Sequence, residues 1–555
     1  MPEERGAPAH ELAARLLDGL TTTGASHLVA SPGSRSTPLA AAAHACTTLN
    51  VDVLVDERSA AFFALGVARE TGRPAILVAT SGSAPAHWLP AVIEAAEDRV
   101  PMILVSADRP PELVGCGANQ ATRQAGLLAS HARGPFSVGP DATAGEAFDI
   151  GRRAAAACAF PVDGPVHVNV AIRHPQAVPS RIPAWRPAAA TVSRAGPGPA
   201  PIPEDLPEEG RGVIICGRMP CDARLAARIA AAARALSVPV LADVLSGLGA
   251  SSAASPFLVN SELALRACDV PAADWSIEIG GPPVSRRTGE WGARSKFRLL
   301  LSPGPDWADP DRGADRILIG DVAETLGALA HRLSPGPGLV PVFDSAEATA
   351  LEQLRGPAPP PPEAEAIACL FDALPAQTPL FAGNSMVIRD VDAFTTRTGS
   401  AGPVVRANRG VSGIDGNLST AAGIVAAAGR PGVAILGDLA LFHDLNALHL
   451  LQRVPVTLLV LNNGGGGIFG LLPQNDMEGF EKLWLTPADL DLARAASAFG
   501  LDCRSTDDPS EAAAAVAESV AGGSSRVVEL RIDRRVSEAR RRAVWRALPW
   551  GGLRP

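Results

Sequence analysis

An apolar run, Val433–Leu436, ends directly in Gly437-Asp438, and a second, Val456–Leu461, ends in Asn462-Asn463. Gly437 and Asn463 stand 26 residues apart, room for a strand end, a crossover helix and the next parallel strand. That arrangement would bring the Asp438 carboxylate and the Asn463 amide oxygen to one sheet edge. A hard divalent cation such as Mg²⁺ takes several oxygens in an octahedron and shares them with substrate phosphates. The run Gly464-Gly-Gly-Gly467 lets backbone carbonyl and N–H groups turn toward a cation and an anion. Singly, Gly-Asp, Asn-Asn and poly-Gly are ordinary turn sequences; their combination points to a site.

A second set lies near the N-terminus. Glu57 stands where the run Val51–Val55 meets the helical stretch Ser59–Gly66. It can serve as a first-turn acid facing the helix dipole, or as a partly buried carboxylate that hydrogen-bonds a ligand nitrogen. Ser31-Pro-Gly-Ser-Arg-Ser-Thr-Pro38 follows another strand run, and its hydroxyls, its helix N-terminus and Arg35 suit an anion. An ordinary proline-containing cap is the plainer reading. Thr80-Ser-Gly-Ser83 also follows a strand run, and Ser106-Ala-Asp-Arg-Pro-Pro-Glu-Leu113 leads to Cys116-Gly-Ala-Asn-Gln120. Arg109 in that block can pin a loop or grip a carboxylate bidentately.

These residues need a scaffold, and 555 residues with 47% hydrophobic and 19% charged side chains describe several folded domains rather than a disordered chain. The net charge of −9 argues against a general nucleic-acid binder. No apolar run is long enough for a membrane span, and Met1–Leu20 lacks the apolar segment of a signal peptide. The eight cysteines form no Cys-x-x-Cys pair, which disfavours zinc ribbons and fits reduced thiols in the cytoplasm. Proline-rich stretches from Pro175 to Gly212 and from Ser334 to Glu363 read as linkers. They divide the chain into residues 1–180, 205–340 and 360–555. Each part alternates short apolar β-branched runs with alanine-rich helical stretches, the pattern of α/β domains with doubly wound parallel sheets. Strands are expected at His27–Ala30, Val51–Val55, Ala75–Thr80, Met102–Ser106 and Val166–Ala171 in the first part. In the middle they are expected at Val213–Cys216, Val238–Ala242, Ser276–Ile279 and Phe297–Leu301. In the last they are expected at Pro379–Ala382, Val433–Leu436, Val456–Leu461 and Val527–Ile532. Polar residues and glycines follow many of these runs, where open α/β sheets bind ligands.

Taken together the motifs resemble those of thiamine-diphosphate (ThDP) enzymes, and within them the MenD family of 2-succinyl-5-enolpyruvyl-6-hydroxy-3-cyclohexene-1-carboxylate (SEPHCHC) synthases of menaquinone biosynthesis. The blocks that carry the likeness are Ser31–Pro38, Asp56–Arg58, Ser106–Leu113, Gly117–Gln120, Gly383-Asn-Ser385 with Arg389, and Asn408–Gly416 with Leu418–Thr420. Gly437–Leu439, Asp444–Asn446, Gly467–Phe469 and Leu471–Pro473 complete them. Leu439 replaces the third residue of the general Gly-Asp-Gly motif, as this branch tends to have it, and Gly464 stands where a third Asn is common. The resemblance implies a pyrimidine-binding domain at 1–180, a Rossmann-like central domain at 205–340 and a diphosphate-binding domain at 360–555. Relatives of the central module sometimes bind FAD or a nucleotide. No Gly-x-Gly-x-x-Gly occurs there, so a structural role is expected.

The implied reaction decarboxylates 2-oxoglutarate and adds the succinyl semialdehyde carbanion equivalent to isochorismate in 1,4 fashion, giving SEPHCHC and CO2. By the same likeness Glu57 activates the cofactor, and Asp438, Asn463 and the Gly465 carbonyl hold Mg²⁺ or Mn²⁺. Ser34, Thr80, Gly437, Leu439, Ile414, Ile468 and Phe469 would contact ThDP, with Ile414 an apolar wedge beneath its rings. Ser34, Arg35, Arg109, Gln120, Asn384, Ser385, Arg389, Arg409, Ile468, Phe469 and Leu472 would contact substrate, with Arg286 a further contact; Arg35 and Arg409 are also expected to act in catalysis. Both substrates are dicarboxylates, and Arg in its fork geometry suits them. A homodimer or homotetramer with active sites between chains is implied as well. Competing readings are an acetolactate synthase-like decarboxylase or carboligase, which would need fewer carboxylate-binding arginines, and a non-catalytic effector-binding relative.

Overall fold

The computed structural model describes residues 8–173, 179–188, 198–207, 209–250, 257–258, 260–334, 338–354, 359–395 and 402–548. They form three six-stranded sheets in which every strand pair is parallel. The first contains β1 (His27–Ala30), β2 (Asn50–Val53), β3 (Ala75–Ala79), β4 (Met102–Asp108), β5 (Arg133–Val138) and β6 (Val166–Ala171). The second contains β7 (Gly212–Cys216), β8 (Val240–Ala242), β9 (Phe257–Leu258), β10 (Trp275–Ile279), β11 (Phe297–Ser302) and β12 (Arg316–Ile319). The third contains β13 (Pro379–Ala382), β14 (Val404–Arg406), β15 (Gly432–Gly437), β16 (Val456–Asn462), β17 (Cys503–Thr506) and β18 (Arg526–Arg531). The doubly wound α/β class expected from the alternating runs is the class observed. The five strands that no apolar run announces, β5, β9, β12, β14 and β17, all lie at sheet edges.

The order β2-β1-β3-β4-β6-β5 in the first sheet is repeated as β14-β13-β15-β16-β18-β17 in the third. In both, the chain reverses direction across the sheet between the first and third strands, leaving a switch point there. The second sheet runs β12-β11-β10-β7-β8-β9, the order of dinucleotide-binding folds, with its switch point between β7 and β10. That crevice is closed by its own loops. Gly217 N donates to Ile279 O at 2.9 Å and Gly281 N to Arg218 O at 2.8 Å. A Cβ on Gly217 would lie 1.7 Å from the Gly281 carbonyl oxygen.

Chain contacts divide the molecule into two compact units. One comprises Met1–Arg194 with Asn408–Gly429 and His443–Val454; the other comprises Ala195–Ala407, Arg430–Phe442 and Pro455–Pro555. The first unit holds the first sheet. Its core packs Leu28, Ile76, Ile103 and Val168 against Leu16 and Leu20 of the helix Ala9–Leu20 and Ala154 of the helix Ala144–Ala159. The second unit holds the other two sheets. Val244 and Leu245, just beyond β8, enter the core of the third sheet. Among the described residues no helix is long and apolar enough to cross a membrane, and all eight cysteines are free.

Candidate active site

In the first unit, three neighbouring strands end at one set of polar loops. Ser31–Ser34 leave β1, Thr80–Gly82 leave β3, and Arg109 leaves β4. The loops after β1 and β3 touch at the switch point, since a Cβ on Gly33 would lie 2.3 Å from Thr80 Cβ. Arg35 is 2% exposed, and its guanidinium donates to Ile172 O at 2.6 Å. Burial and then the charge of Arg109 press its pKa below the usual value, with Asp108 opposing. Arg109 Nη1 donates to Ser81 Oγ at 3.1 Å and its Nε to Asn119 O at 3.2 Å. Gln120, at φ 54°, donates from Nε2 to Ser81 O at 3.0 Å. Ser34 is exposed and Thr80 buried. Two guanidinium groups thus lie close enough to feel each other's charge, a positive setting suited to an anionic ligand.

The Asp108 carboxylate is itself fixed from behind. Asp108 Oδ1 accepts from Arg109 N at 2.7 Å and Oδ2 from Asn169 Nδ2 at 2.9 Å. Asn169 Oδ1 accepts from Ser106 Oγ at 2.9 Å and Gln124 Nε2 at 3.0 Å. Gln124 also accepts from Gly82 N at 3.1 Å. Ser106 Oγ lies 2.7 Å from His167 Nε2, whose pKa burial pushes down to about 4, so the ring is neutral.

Glu57 begins the helix Glu57–Thr71. Asp56 caps it, accepting from Arg58 N at 2.8 Å and Ser59 N at 3.2 Å. Asn446 Nδ2 donates to the other Asp56 oxygen at 3.0 Å. Glu57 is half-buried. The same helix packs closely on the helix Asn417–Ala428: Cβ atoms on Gly66 and Gly423 would lie 2.1 Å from Thr420 O and 2.0 Å from Phe63 O. Gly416, at φ 60°, would place a Cβ 2.0 Å from the Phe62 ring. The segment 408–416 is thereby built onto the helix that starts at Glu57. It carries Arg409, half-buried, and Ile414, 38% exposed. Buried Asp444 secures the first turn of the helix Asn417–Ala428 through Ser419 N at 2.8 Å and Ser419 Oγ at 3.2 Å.

In the second unit, Gly437 of β15 pairs with Leu461 of β16, so Asp438 and Asn463 emerge side by side at the carboxyl ends of adjacent strands. Asp438 is 5% exposed. Burial raises its pKa to about 6, backbone N–H groups of Leu439, Gly465 and Gly464 offsetting part of the effect. Asp438 Oδ2 and Asn463 Oδ1 are both buried without a hydrogen-bond partner. Unsatisfied buried oxygens of this kind are rare and call for a ligand. Gly465, at φ 130°, approaches Leu485 O so closely that a Cβ would lie 2.2 Å from it. The Gly465 carbonyl accepts from Gly467 N at 2.8 Å, leaving a second lone pair. One carboxylate, one amide oxygen and one carbonyl form a hard, all-oxygen donor set that fits Mg²⁺ or Mn²⁺. Among the described residues no cluster of three or more His, Cys, Asp or Glu offers a competing metal site.

Asn384 and Ser385 leave β13, across the switch point from Asp438. Asn384 is buried, and Ser385 holds φ 68°, ψ −124° at the start of the helix Met386–Phe394. Arg389 on that helix is exposed and bonds back to Ser385 O. Ile468 and Phe469 are half-buried in the turn Gly467–Leu471, and Leu472 beyond it is 41% exposed. Arg286, with its side chain 89% exposed, pairs with Glu290 at 2.6 Å.

Sequence reasoning passed over several residues that hold these groups. Asn169 and Gln124 carry no local motif, because their partners are distant in the chain. Asn462 lies inside the Asn-Asn pair, yet its own work is to accept from Gly464 N at 3.2 Å and to donate to Glu529 Oε1 at 2.7 Å.

The chain matches two family models, the N-terminal TPP binding domain of thiamine pyrophosphate enzymes over residues 10–127 and the C-terminal TPP binding domain over residues 403–530. Curated relatives extend the likeness across the middle as well. A 2-succinyl-5-enolpyruvyl-6-hydroxy-3-cyclohexene-1-carboxylate synthase of Dechloromonas aromatica is 39% identical, over 93% of this chain and 97% of its own. Those of Rubrobacter xylanophilus and Geobacillus kaustophilus are 38% and 37% identical, the former over 98% of this chain and 99% of its own, the latter over 96% of each. With the strand-end clusters in place, such identity over almost the whole length means that the chain belongs to the 2-succinyl-5-enolpyruvyl-6-hydroxy-3-cyclohexene-1-carboxylate synthase family of thiamine pyrophosphate enzymes.

Proposed function

We propose that the protein decarboxylates 2-oxoglutarate and joins the remaining four-carbon unit to isochorismate by 1,4-addition, giving SEPHCHC and CO2 in menaquinone biosynthesis. Thiamine diphosphate, when bound, supplies the thiazolium carbon that makes the 2-oxo acid a nucleophile. Asp438, Asn463 and the Gly465 carbonyl would hold a divalent cation, Mg²⁺ or Mn²⁺, and with it the diphosphate. Gly437, Leu439, Ile468 and Phe469 would line that end. Ser34 and Thr80 belong to the other end, with Ile414 as the apolar support. Glu57, half-buried at a helix start, would hold and protonate the aminopyrimidine nitrogen.

The observation that carries the substrate assignment is the excess of guanidinium charge at the first switch point. Arg35 there feels the charges of both Arg109 and Asp108, and Arg409 and Arg389 would supply two further cations. Dicarboxylates need such fixed donors. Arg35, Arg109, Gln120 and Arg409 would orient carboxylates, while Asn384, Ser385, Arg389 and Leu472 would shape the remaining pocket, with Arg286 a peripheral contact. We assign residues 1–180 to pyrimidine binding, 205–340 to a structural module and 360–555 to diphosphate binding. We infer a homodimer or homotetramer in the cytoplasm, with cofactor held between chains; the free cysteines fit a reducing compartment.

The test is the absorbance loss of isochorismate with ThDP, Mg²⁺ and 2-oxoglutarate, with pyruvate as control donor. Consumption should require every component and fail with pyruvate. Release of CO2 from pyruvate without isochorismate consumption would instead favour a general 2-oxo acid decarboxylase.

A further inference from the structure

The loop that bears Arg409 is anchored by a carboxylate far away in the sequence. Glu94 lies on the helix Leu89–Glu97 and is 2% exposed. Its Oε1 accepts from Gly410 N and its Oε2 from Val411 N, each at 2.8 Å. Arg69, on the helix that begins at Glu57, approaches the same carboxylate at 3.3 Å and also pairs with Asp98. Arg69 reaches Asn408 Oδ1 at 3.5 Å, and Asn408 Nδ2 donates to Thr420 Oγ1 at 3.0 Å. Both chain neighbours of Arg409 are therefore pinned. The fit is close: a Cβ on Gly410 would lie 2.6 Å from Glu94 O and 3.1 Å from its carboxyl carbon. A buried carboxylate that spends both oxygens on successive backbone N–H groups fixes the direction of the intervening peptide, because each charge-assisted bond is short and directional.

We propose that Glu94 is a positioning residue for Arg409: without touching substrate, it sets the loop so that the guanidinium meets a substrate carboxylate. This rests on Arg409 binding substrate, as proposed above. The experiment is steady-state kinetics of the full chain with ThDP, Mg²⁺, 2-oxoglutarate and isochorismate for Glu94→Gln, Arg409→Ala and the double variant. Glutamine keeps the shape of Glu94 but turns an N–H₂ toward one of the two backbone donors. Glu94→Gln should raise KM for one substrate by about 10-fold to 100-fold, since a small misplacement of a binding group has effects of that order. In the Arg409→Ala background the same change should add less than about 2-fold, because groups acting as one unit are non-additive. A purely structural Glu94 would reduce the active fraction, scaling kcat and leaving KM in place, and its effect would persist in the double variant; either result overturns the proposal. Unchanged kinetics in Arg409→Ala would overturn the assignment of Arg409 and the proposal with it. A clear Arg409→Ala defect beside a normal Glu94→Gln would overturn the positioning role alone. Should Glu94→Gln fail to fold, Gly410→Ala displaces the loop from the other side of the contact: the same rise in KM supports the proposal, and a normal KM overturns it.

Discussion

The first and third sheets have the same strand order, yet they put opposite chemistry at their switch points. In the first sheet the strand ends carry Arg35 and Arg109, and the groups around them are satisfied by protein: Arg35 by Ile172 O, Arg109 by Ser81 and Asn119, Asp108 by Asn169. In the third sheet the strand ends carry Asp438, whose Oδ2 has no partner, beside the equally unpaired Asn463 Oδ1. One cluster is positive, its groups held by protein hydrogen bonds; the other carries a buried carboxylate and amide oxygen left without a partner. Topology thus decides where a ligand sits, while the residues placed there decide which charge it bears. The second sheet is the control within the same chain: its order also offers a switch point, but Gly217 and Gly281 close it.

The largest effect is expected where the two kinds of chemistry are divided between different residues. Glu57→Gln should lower kcat by about 100-fold to 10,000-fold, the range for removing an acid–base group, while ThDP binding measured by calorimetry stays close to normal. Loss of cofactor binding in that variant would mean that Glu57 holds rather than activates. Asp438→Asn should do the reverse, weakening cation-dependent ThDP binding by more than about 100-fold, beyond what removing a supporting residue of a metal site costs. Normal Mg²⁺ dependence in Asp438→Asn would remove the metal cradle from the comparison.

These predictions draw on residues that were readable to unequal degrees. Interior strands such as β3 and β16 are buried along their length, so burial wrote them as unbroken apolar runs. The overlooked β5, β12 and β17 expose several of their residues and read as polar or mixed. The neighbouring placement of Asp438 and Asn463 was legible because each directly follows an apolar strand run, and those two strands pair. Their supports were not. Glu94 meets Gly410 and Val411 across more than 300 residues, and Asn169 meets Asp108 across 61. No local pattern marks a side chain whose partner is a distant backbone amide or carboxylate.

A smaller effect separates the unsatisfied cluster from other buried acids. Asp438 titrates near 6 in the folded chain against 3.8 as a free side chain. A raised carboxylate pKa favours the protonated form in the fold. The cation-free protein therefore loses stability as pH rises from about 4 to about 6, and the loss levels off above that. A divalent cation binds only the ionised form, so its apparent affinity should fall by about tenfold for each pH unit below 6. Tm measured with and without MgCl₂ and ThDP should show a larger increment at about pH 7.5 than at about pH 5. Asp444, also raised to about 6 by burial, titrates with or without cation and drops out of the difference. An increment independent of pH would show that Asp438 does not ligate the cation.

The smallest effect is expected at Gly464, which follows the Asn462-Asn463 pair. The residue sits at φ 74°, and a Cβ added there would meet nothing within 4 Å. It is exposed, and its N–H is held by Asn462. Space does not oppose a side chain there, and asparagine tolerates the left-handed region better than most residues. The loop is shaped instead by Asn462, Glu529 and the close passage of Gly465 beneath Leu485 O. Gly464→Asn should therefore leave Mg²⁺ affinity within about twofold, and Tm should change by no more than a stability shift of about 1 kcal/mol produces. A tenfold gain in cation affinity would show that the missing asparagine side chain, rather than the backbone around Gly465, limits how well the unsatisfied cluster holds its ion.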